Sequence, residues 1–151
     1  MKKLTVVALA SLLLAACSSA EKEAQRAEGF SHSEQSLDIA QRNATVPCRD
    51  AAQCDAMWTL TKRYIEQNSN QPVIRADAVA IETDVPSRSG KPVYSATRVA
   101  KGNGATIALY AQCRGMYGPE RVRGSDYDDC ASKIIAAQNR FAAYLRSAQG
   151  Q

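Results

Sequence analysis

The chain has 151 residues, of which 45% are hydrophobic, 23% charged and 6% aromatic, and its formal net charge is +4. This length accommodates one ordinary domain, and the near-average composition excludes collagen-like, coiled-coil and wholly disordered chains. Five cysteines are unusual in so short a cytosolic protein, so the redox compartment is the first question.

Residues 1–16 have the organisation of a secretory signal peptide. Lys2 and Lys3 form a positive start, and the run of 13 residues from Leu4 to Ala16 contains two hydroxyl residues as its only polar members. As a helix this run would span about 20 Å, which is less than the ~30 Å hydrocarbon core of a bilayer. We therefore predict a signal peptide here and not a transmembrane helix.

The four residues Leu14-Ala15-Ala16-Cys17 resemble the lipobox of bacterial lipoproteins. In that family the cysteine thiol forms a thioether with diacylglycerol before the signal peptide is cleaved. The resemblance implies lipidation of Cys17, and two or three acyl chains anchor a protein firmly, because each buried CH₂ is worth ~0.8 kcal/mol. An Asp after the lipidated Cys favours inner-membrane retention in the family. Ser18 stands there instead, which implies attachment to the outer membrane, facing the periplasm.

Loss of the signal peptide leaves 17 basic against 15 acidic residues, a net charge of about +2. That charge is too small to favour nucleic acid as a partner. The membrane, reached through Cys17, is the expected contact.

Residues 17–46 are predicted to form a flexible tether. Ala, Glu, Ser, Gln and Arg dominate, and the few large apolar residues include Phe30, Leu37 and Ile39. Such a segment buries too little surface to offset the entropy of ordering it. Beyond a short helix over Glu34–Arg42, no regular structure is expected before the domain at 47–151.

The domain is expected to begin with a helix that ends near Asn68–Asn70. Asp50 is a predicted N-cap, and Gln53 follows at the capping-box position. Apolar residues then recur at helical spacing: Cys54, Met57, Trp58, Thr61, Tyr64 and Ile65. We expect Trp58 and Tyr64 to pack in the core.

Three strands should follow, at Val73–Thr83, Val93–Lys101 and Thr106–Cys113. Gly102-Asn103-Gly104 supplies a tight hairpin turn. A last helix should open at Ser125 with Asp128 and run to about Arg146. Its predicted buried stripe contains Tyr127, Cys130, Ile134, Ala137, Phe141 and either Tyr144 or Leu145. The fold class is therefore α+β: a two-layer sandwich of helix, three-stranded antiparallel meander and helix, with both helices on one face of the sheet.

With Cys17 set aside, Cys48, Cys54, Cys113 and Cys130 form an even set in an exported chain, which favours two disulfides among three possible connectivities. We favour Cys48–Cys54 at the start of the first helix and Cys113–Cys130 between the last strand and the last helix. A zinc site is disfavoured because no Cys-x-x-Cys spacing occurs.

Catalytic and cofactor sites are not expected. The single histidine, His32, lies in the predicted tether and is not expected to serve a Ser-His or Cys-His site in the domain. The remaining option is a pair of carboxylates, as in a hydrolase, drawn from Glu66, Asp77, Glu82 and Asp84. Asp77 lies in an apolar stretch and is expected to pair with Arg75 or Arg98.

Residues 114–124 form a basic loop that offers the strongest candidate for partner binding. Its Met116, Tyr117, Arg121 and Arg123 are of types enriched at protein interfaces. An ordinary solvated crossover loop is the alternative.

The helix–meander–helix order with a terminal disulfide resembles small secretion pilotins, and residues 48–86 are similar to small proteobacterial lipoproteins of unknown function. These resemblances imply a non-enzymatic lipoprotein that binds a protein partner in envelope assembly or secretion, and they transfer no site residues. An inhibitor or immunity protein that binds a secreted enzyme or toxin is the alternative, and a carboxylate hydrolase ranks last.

Overall fold

The computed structural model describes residues 2–118 and 123–147, with side chains from Ser19 onward. Its elements are α1 (Lys2–Asn43), β1 (Thr45–Cys48), α2 (Ala51–Asn68), β2 (Val73–Ala76), β3 (Ala80–Thr83), β4 (Pro92–Lys101), β5 (Gly104–Cys113) and α3 (Tyr127–Ser147). The chain divides into two compact units, Met1–Gln35 and Ser36–Gln151.

The first unit consists of helical residues of α1. No helix among the described residues combines the length and apolar composition that a membrane span requires. The side chains of the predicted lipobox lie outside the described residues, so the signal peptide and the lipidation of Cys17 stay predictions.

The second unit contains a five-stranded antiparallel sheet in the order β1-β5-β4-β3-β2. Its centre is the long β4–β5 hairpin, which is in register from Pro92 opposite Cys113 to Lys101 opposite Gly104. The two-residue turn has Gly102 at φ +60°, a left-handed conformation that favours glycine. The predicted hairpin is confirmed.

Helix α2 begins and ends where the sequence predicts. The Asp50 carboxylate accepts a hydrogen bond from Gln53 N–H at 2.9 Å, and the Gln53 side chain accepts one from Arg49 N–H at 2.8 Å. The first bond satisfies one of the amides that a helix start leaves without a partner, and the second fixes the residue before the N-cap. The predicted apolar stripe is buried except for Trp58, which is part-buried against the core.

Helix α3 packs beside α2 on the same face of the sheet. The Tyr64 hydroxyl donates to Ala137 O at 2.6 Å, and its ring contacts the rings of Phe141 and Tyr144. Leu145, not Tyr144, completes the fully buried stripe. The helix begins at Tyr127, and Asp126, not Ser125, precedes it: Cys130 N–H donates to Asp126 O at 3.0 Å.

The predicted three-stranded meander differs from the sheet in two respects: β1 is an additional edge strand, and Val73–Thr83 is two strands. Asp77 breaks it: its carboxylate accepts hydrogen bonds from both Val79 N–H and Ala80 N–H at 2.9 Å. A carboxylate that captures the next amides stabilises a turn in place of a continuing strand. This turn allows β2 and β3 to pair with each other.

The predicted tether extends too far towards the C-terminus. Ala40 and Ala44 are fully buried, Val46 is nearly so, and β1 pairs with β5. Leu109 N–H donates to Ala44 O at 2.9 Å. The sequence pattern does not reveal that these residues belong to the domain, because alanine buries little apolar surface for each residue. Backbone hydrogen bonds to β5 attach them instead. The expectation of no regular structure before Glu34 is also wrong, because residues 17–35 belong to the helix α1. Their Ala, Glu, Gln and Arg residues have high helix propensity, which does not require a buried face. The role of residues 17–35 as a tether stays a prediction.

Both predicted disulfides are present. Cys48 is bonded to Cys54, with Cα atoms 5.2 Å apart, and Cys113 to Cys130, with Cα atoms 6.0 Å apart. The first ties β1 to α2, and the second ties the end of β5 to α3.

Candidate functional site

The face of the sheet opposite the two helices is the candidate site. Alternation along β4 and β5 sends Tyr94, Ala96, Ile107 and Leu109 into the core. The intervening residues point the other way, and two of them are large exposed hydrophobic residues: Val99 at 61% and Tyr110 at 43%.

A groove of about 660 Å³ crosses one end of this face. Val85, 60% exposed, contributes from the loop between β3 and β4. Val93 and Tyr110 contribute from the sheet, and Gln41 from the end of α1. Tyr110 lies opposite Ser95 in the hairpin register, so a small side chain adjoins the aromatic ring. The groove therefore combines apolar surface with the amide of Gln41, a mixture typical of protein-binding surfaces.

The walls of the groove are held by hydrogen bonds between loops. Arg114 Nη1 donates to Pro86 O at 3.0 Å, and Gly90 N–H donates to Arg114 O at 3.0 Å. On the other side, the Gln41 side chain donates to Leu109 O at 3.0 Å. A binding surface fixed before its partner arrives loses less entropy on binding.

Residues 114–118 form part of the groove wall, and their backbone crosses the backbone of Gly124 at close range. Gly115 has φ +74°, and a Cβ on Gly124 would lie 2.1 Å from Gly115 O, so glycine is required at the crossing point. Cys113, at the end of β5, is fixed to Cys130. The disulfide and the glycines thus position the loop against the groove.

The predicted binding loop is placed differently from expectation. Met116 is only 2% exposed and belongs to the core, so it is not a surface anchor. Tyr117 lines the groove, and its ring lies edge-on to that of Tyr127 with centroids 5.9 Å apart. Arg123 pairs with Asp128, and its guanidinium lies 5.4 Å from the Tyr127 ring. Arg121 is outside the described residues.

The carboxylates considered for hydrolysis have structural partners. Asp77 and Glu82 are both bound by Arg75, at 2.7 and 3.2 Å, and Glu66 pairs with Lys62 within α2. The amide of Val79, the guanidinium of Arg75 and the amide of Ala80 lower the pKa of Asp77 to about 2. Hydrogen bonds to the charged form of a carboxylate have this effect.

Arg98, the other predicted partner of Asp77, pairs with Asp55 on α2 at 2.7 Å. The backbone carbonyl of Asp77 accepts a hydrogen bond from the Trp58 indole N–H at 2.8 Å. Asp77 therefore organises the β2–β3 turn and its attachment to α2. Asp84 accepts from Val85 N–H at 2.7 Å and shapes the loop that carries the groove wall.

His32 is exposed in the first unit. Within the ranges that the structure describes, no group of three or more His, Cys, Asp and Glu residues is arranged to hold a metal ion.

In comparisons with known proteins, no family model, curated protein or solved structure matched the chain.

Sequence reasoning selected the loop for its residue types and overlooked Tyr110. The signal was nevertheless available. Ile107, Leu109 and Ala111 alternate along the last strand and so share one face, which places Tyr110 on the other. An aromatic residue on the solvent side of a strand is a candidate interface residue.

Proposed function

We propose that this chain is a lipid-anchored protein of the outer membrane whose periplasmic domain binds a protein partner in envelope assembly or secretion. Cys17 is the proposed anchor, and the groove around Tyr110 is the proposed binding surface. No enzymatic activity is part of the proposal.

Two observations support an exported, anchored protein. The lipobox-like sequence before Cys17 supplies the anchor. The two disulfides are of the kind that persist in oxidising compartments such as the periplasm.

The groove is the single observation that carries the binding proposal. Val85 and Tyr110 are large, apolar or aromatic, and substantially exposed, and the walls around them are fixed by hydrogen bonds. Exposed apolar surface on a rigid frame favours a protein partner, since an aromatic anchor in a preorganised site carries much of the binding free energy.

The test is affinity capture from envelope extracts with the full chain carrying Tyr110→Ala and Val85→Ser. Loss of an aromatic anchor at an interface typically costs 2 kcal/mol or more, so we expect the affinity of the captured partner to fall by about thirtyfold. The matched control is Ile74→Ser with Val79→Ser, two similarly exposed residues at the other end of the sheet.

The proposal requires the groove variant to lose its partner while the control retains it. Equal capture by both variants would contradict it. If the captured partner is a secreted hydrolase or toxin that the wild-type chain inhibits, the inhibitor or immunity alternative replaces the assembly role.

A further inference from the structure

A second depression lies away from the groove, where the C-terminal end of α2, the start of β4 and the middle of α3 meet. Its volume is about 320 Å³, enough for roughly ten water molecules at ~30 Å³ each. Three cations line it, one from the residue just before β4 and two from α3: Lys91, Lys133 and Arg140. We call it the basic pocket.

The pocket exists because small residues separate the two helical cations. Lys133 and Arg140 are seven residues apart on α3, which places them on one face about 10 Å apart along the axis. Ala136 and Ala137 lie between them and line the recess. Long flexible cations at both ends of a recess can converge on a group bound in it.

The other walls supply hydrogen-bond donors and no negative charge. Asn68 and Asn70 line the α2 side, and the ring of Tyr94, only 2% exposed, lies beneath. None of the described lining residues is acidic. Burial raises the pKa of Tyr94, and the positive charge of Arg140 opposes that rise.

The three cations differ in their ion pairing. Lys133 pairs with Asp129 one turn earlier in α3. Among the described residues, by contrast, neither Lys91 nor Arg140 forms an ion pair. Arg140 Nε donates to Ala136 O at 3.1 Å, and the Arg140 side chain also contacts the Tyr64 hydroxyl, so the guanidinium is partly engaged inside the protein and exposed at its outer end.

The end of α2 opposes an anion only weakly. The last carbonyls of a helix carry partial negative charge. Here Ser69 N–H donates to Ile65 O at 2.8 Å, and the Asn68 side chain donates to Tyr64 O at 2.9 Å. These two donors partly offset the negative end of α2 on the side of the pocket.

The net positive charge of the chain is concentrated in the same unit as the basic pocket. Residues 36–151 carry 15 Lys and Arg against 11 Asp and Glu, whereas residues 18–35 carry two against four. The excess of positive charge therefore belongs to the part of the chain that contains the pocket, and an excess of this sign attracts anionic ligands and surfaces.

We propose that the basic pocket binds the phosphate group of an anionic ligand, either a phospholipid headgroup or a soluble phosphate ester. Arg140 supplies a guanidinium N–H donor suited to a phosphate oxygen, and Lys91 and Lys133 supply point charges. This inference is independent of the protein partner proposed for the groove, which has a separate lining.

The experiment titrates the full chain in neutral detergent micelles and follows the side-chain amide NMR signals of Asn68 and Asn70. One arm adds inorganic phosphate, a second adds phosphatidylglycerol to the micelles, and sodium chloride at equal ionic strength is the blank. We expect saturable shifts with phosphate or with phosphatidylglycerol, and none with chloride.

The variant pair is Lys91→Gln with Arg140→Gln, and the control pair is Arg63→Gln with Arg146→Gln. All four side chains are exposed, and both pairs remove the same charge. Because each charge-assisted hydrogen bond to phosphate is worth about a tenfold change in affinity, the pocket pair should raise Kd at least about tenfold and the control less than about twofold.

The two arms distinguish the source of the phosphate. A response to phosphatidylglycerol assigns the pocket to a lipid headgroup, and a response to phosphate alone assigns it to a soluble ester. Equal loss of affinity in both variant pairs would reveal diffuse electrostatic attraction and overturn the proposal. The absence of saturable shifts in both arms would overturn it as well.

Discussion

Asp77 shows how one side chain changes the topology of this fold. Its carboxylate binds the amides of Val79 and Ala80 and the guanidinium of Arg75, and its backbone carbonyl accepts from Trp58. The pairing with Arg75 was predictable from proximity in the sequence. The turn was not, because alternation along Val73–Thr83 reads as one strand unless the amides that Asp77 captures are known.

This residue makes stability depend on pH in a defined window. The pKa of Asp77 is about 2 in the folded protein, against an ordinary 3.8, so the unfolded chain binds a proton first as the pH falls. The stability that the charged carboxylate contributes is fully present above pH 3.8 and is lost as the pH falls towards 2. Asp77→Asn, which keeps an acceptor oxygen, should lower the urea midpoint at pH 7 and match the wild type near pH 2.

Asp77→Ala separates charge from turn geometry, because it removes the acceptor as well. Its urea midpoint should lie below that of Asp77→Asn at pH 7, and a deficit should persist at pH 2. A difference between the wild type and Asp77→Asn that stays constant from pH 7 to pH 2 would be inconsistent with the assigned pKa.

At the scale of elements, the two disulfides differ in the length of chain that they close. Cys48 and Cys54 are separated by 6 residues, and Cys113 and Cys130 by 17. In the chain-entropy description, the longer loop contributes about 3 kcal/mol and the shorter about 2 kcal/mol. Replacing Cys113 and Cys130 together by Ala should therefore lower the free energy of unfolding more than the same change at Cys48 and Cys54.

Urea unfolding of the two double variants, monitored by circular dichroism, measures this order. Substitution in pairs avoids leaving a lone thiol that could form intermolecular bridges. A larger loss of stability for the Cys48 and Cys54 variant would contradict the loop-length argument.

The elements that the sequence predicts well are those with strong local signals. Asp50 with Gln53 marked the start of α2, Gly102 marked the hairpin, and the 3.6-residue stripe marked α3. The strand β1 was missed because four residues containing Pro47 carry almost no strand signal, and they become a strand only through pairing with β5.

The candidate site was predicted less well than the fold. Residue type alone favoured Met116 and Arg123 as binding residues, but packing removes the first to the core and Asp128 engages the second. Whether a residue points outwards depends on tertiary contacts that composition does not encode. The outward orientation of Tyr110, by contrast, follows from strand alternation once Ile107 is known to face the core.

At the scale of the whole molecule, the proposed anchor and the proposed binding surface have separate tasks. Cys17→Ser removes the nucleophile that would receive lipid, so the variant should lose the acyl-dependent mass of the mature protein and leave the outer-membrane fraction. Membrane fractionation with intact-mass analysis measures both effects. Unchanged fractionation, with a wild-type mass apart from the substitution itself, would contradict lipidation.

The most direct test of the central claim is photocrosslinking in living cells from position 110, compared with position 74 at the far edge of the sheet. Both side chains are exposed, with Ile74 at 63% and Tyr110 at 43%. The account predicts a discrete adduct with one envelope protein from position 110 and none from position 74. Identical adduct patterns from the two positions, or no adduct from position 110, would contradict it.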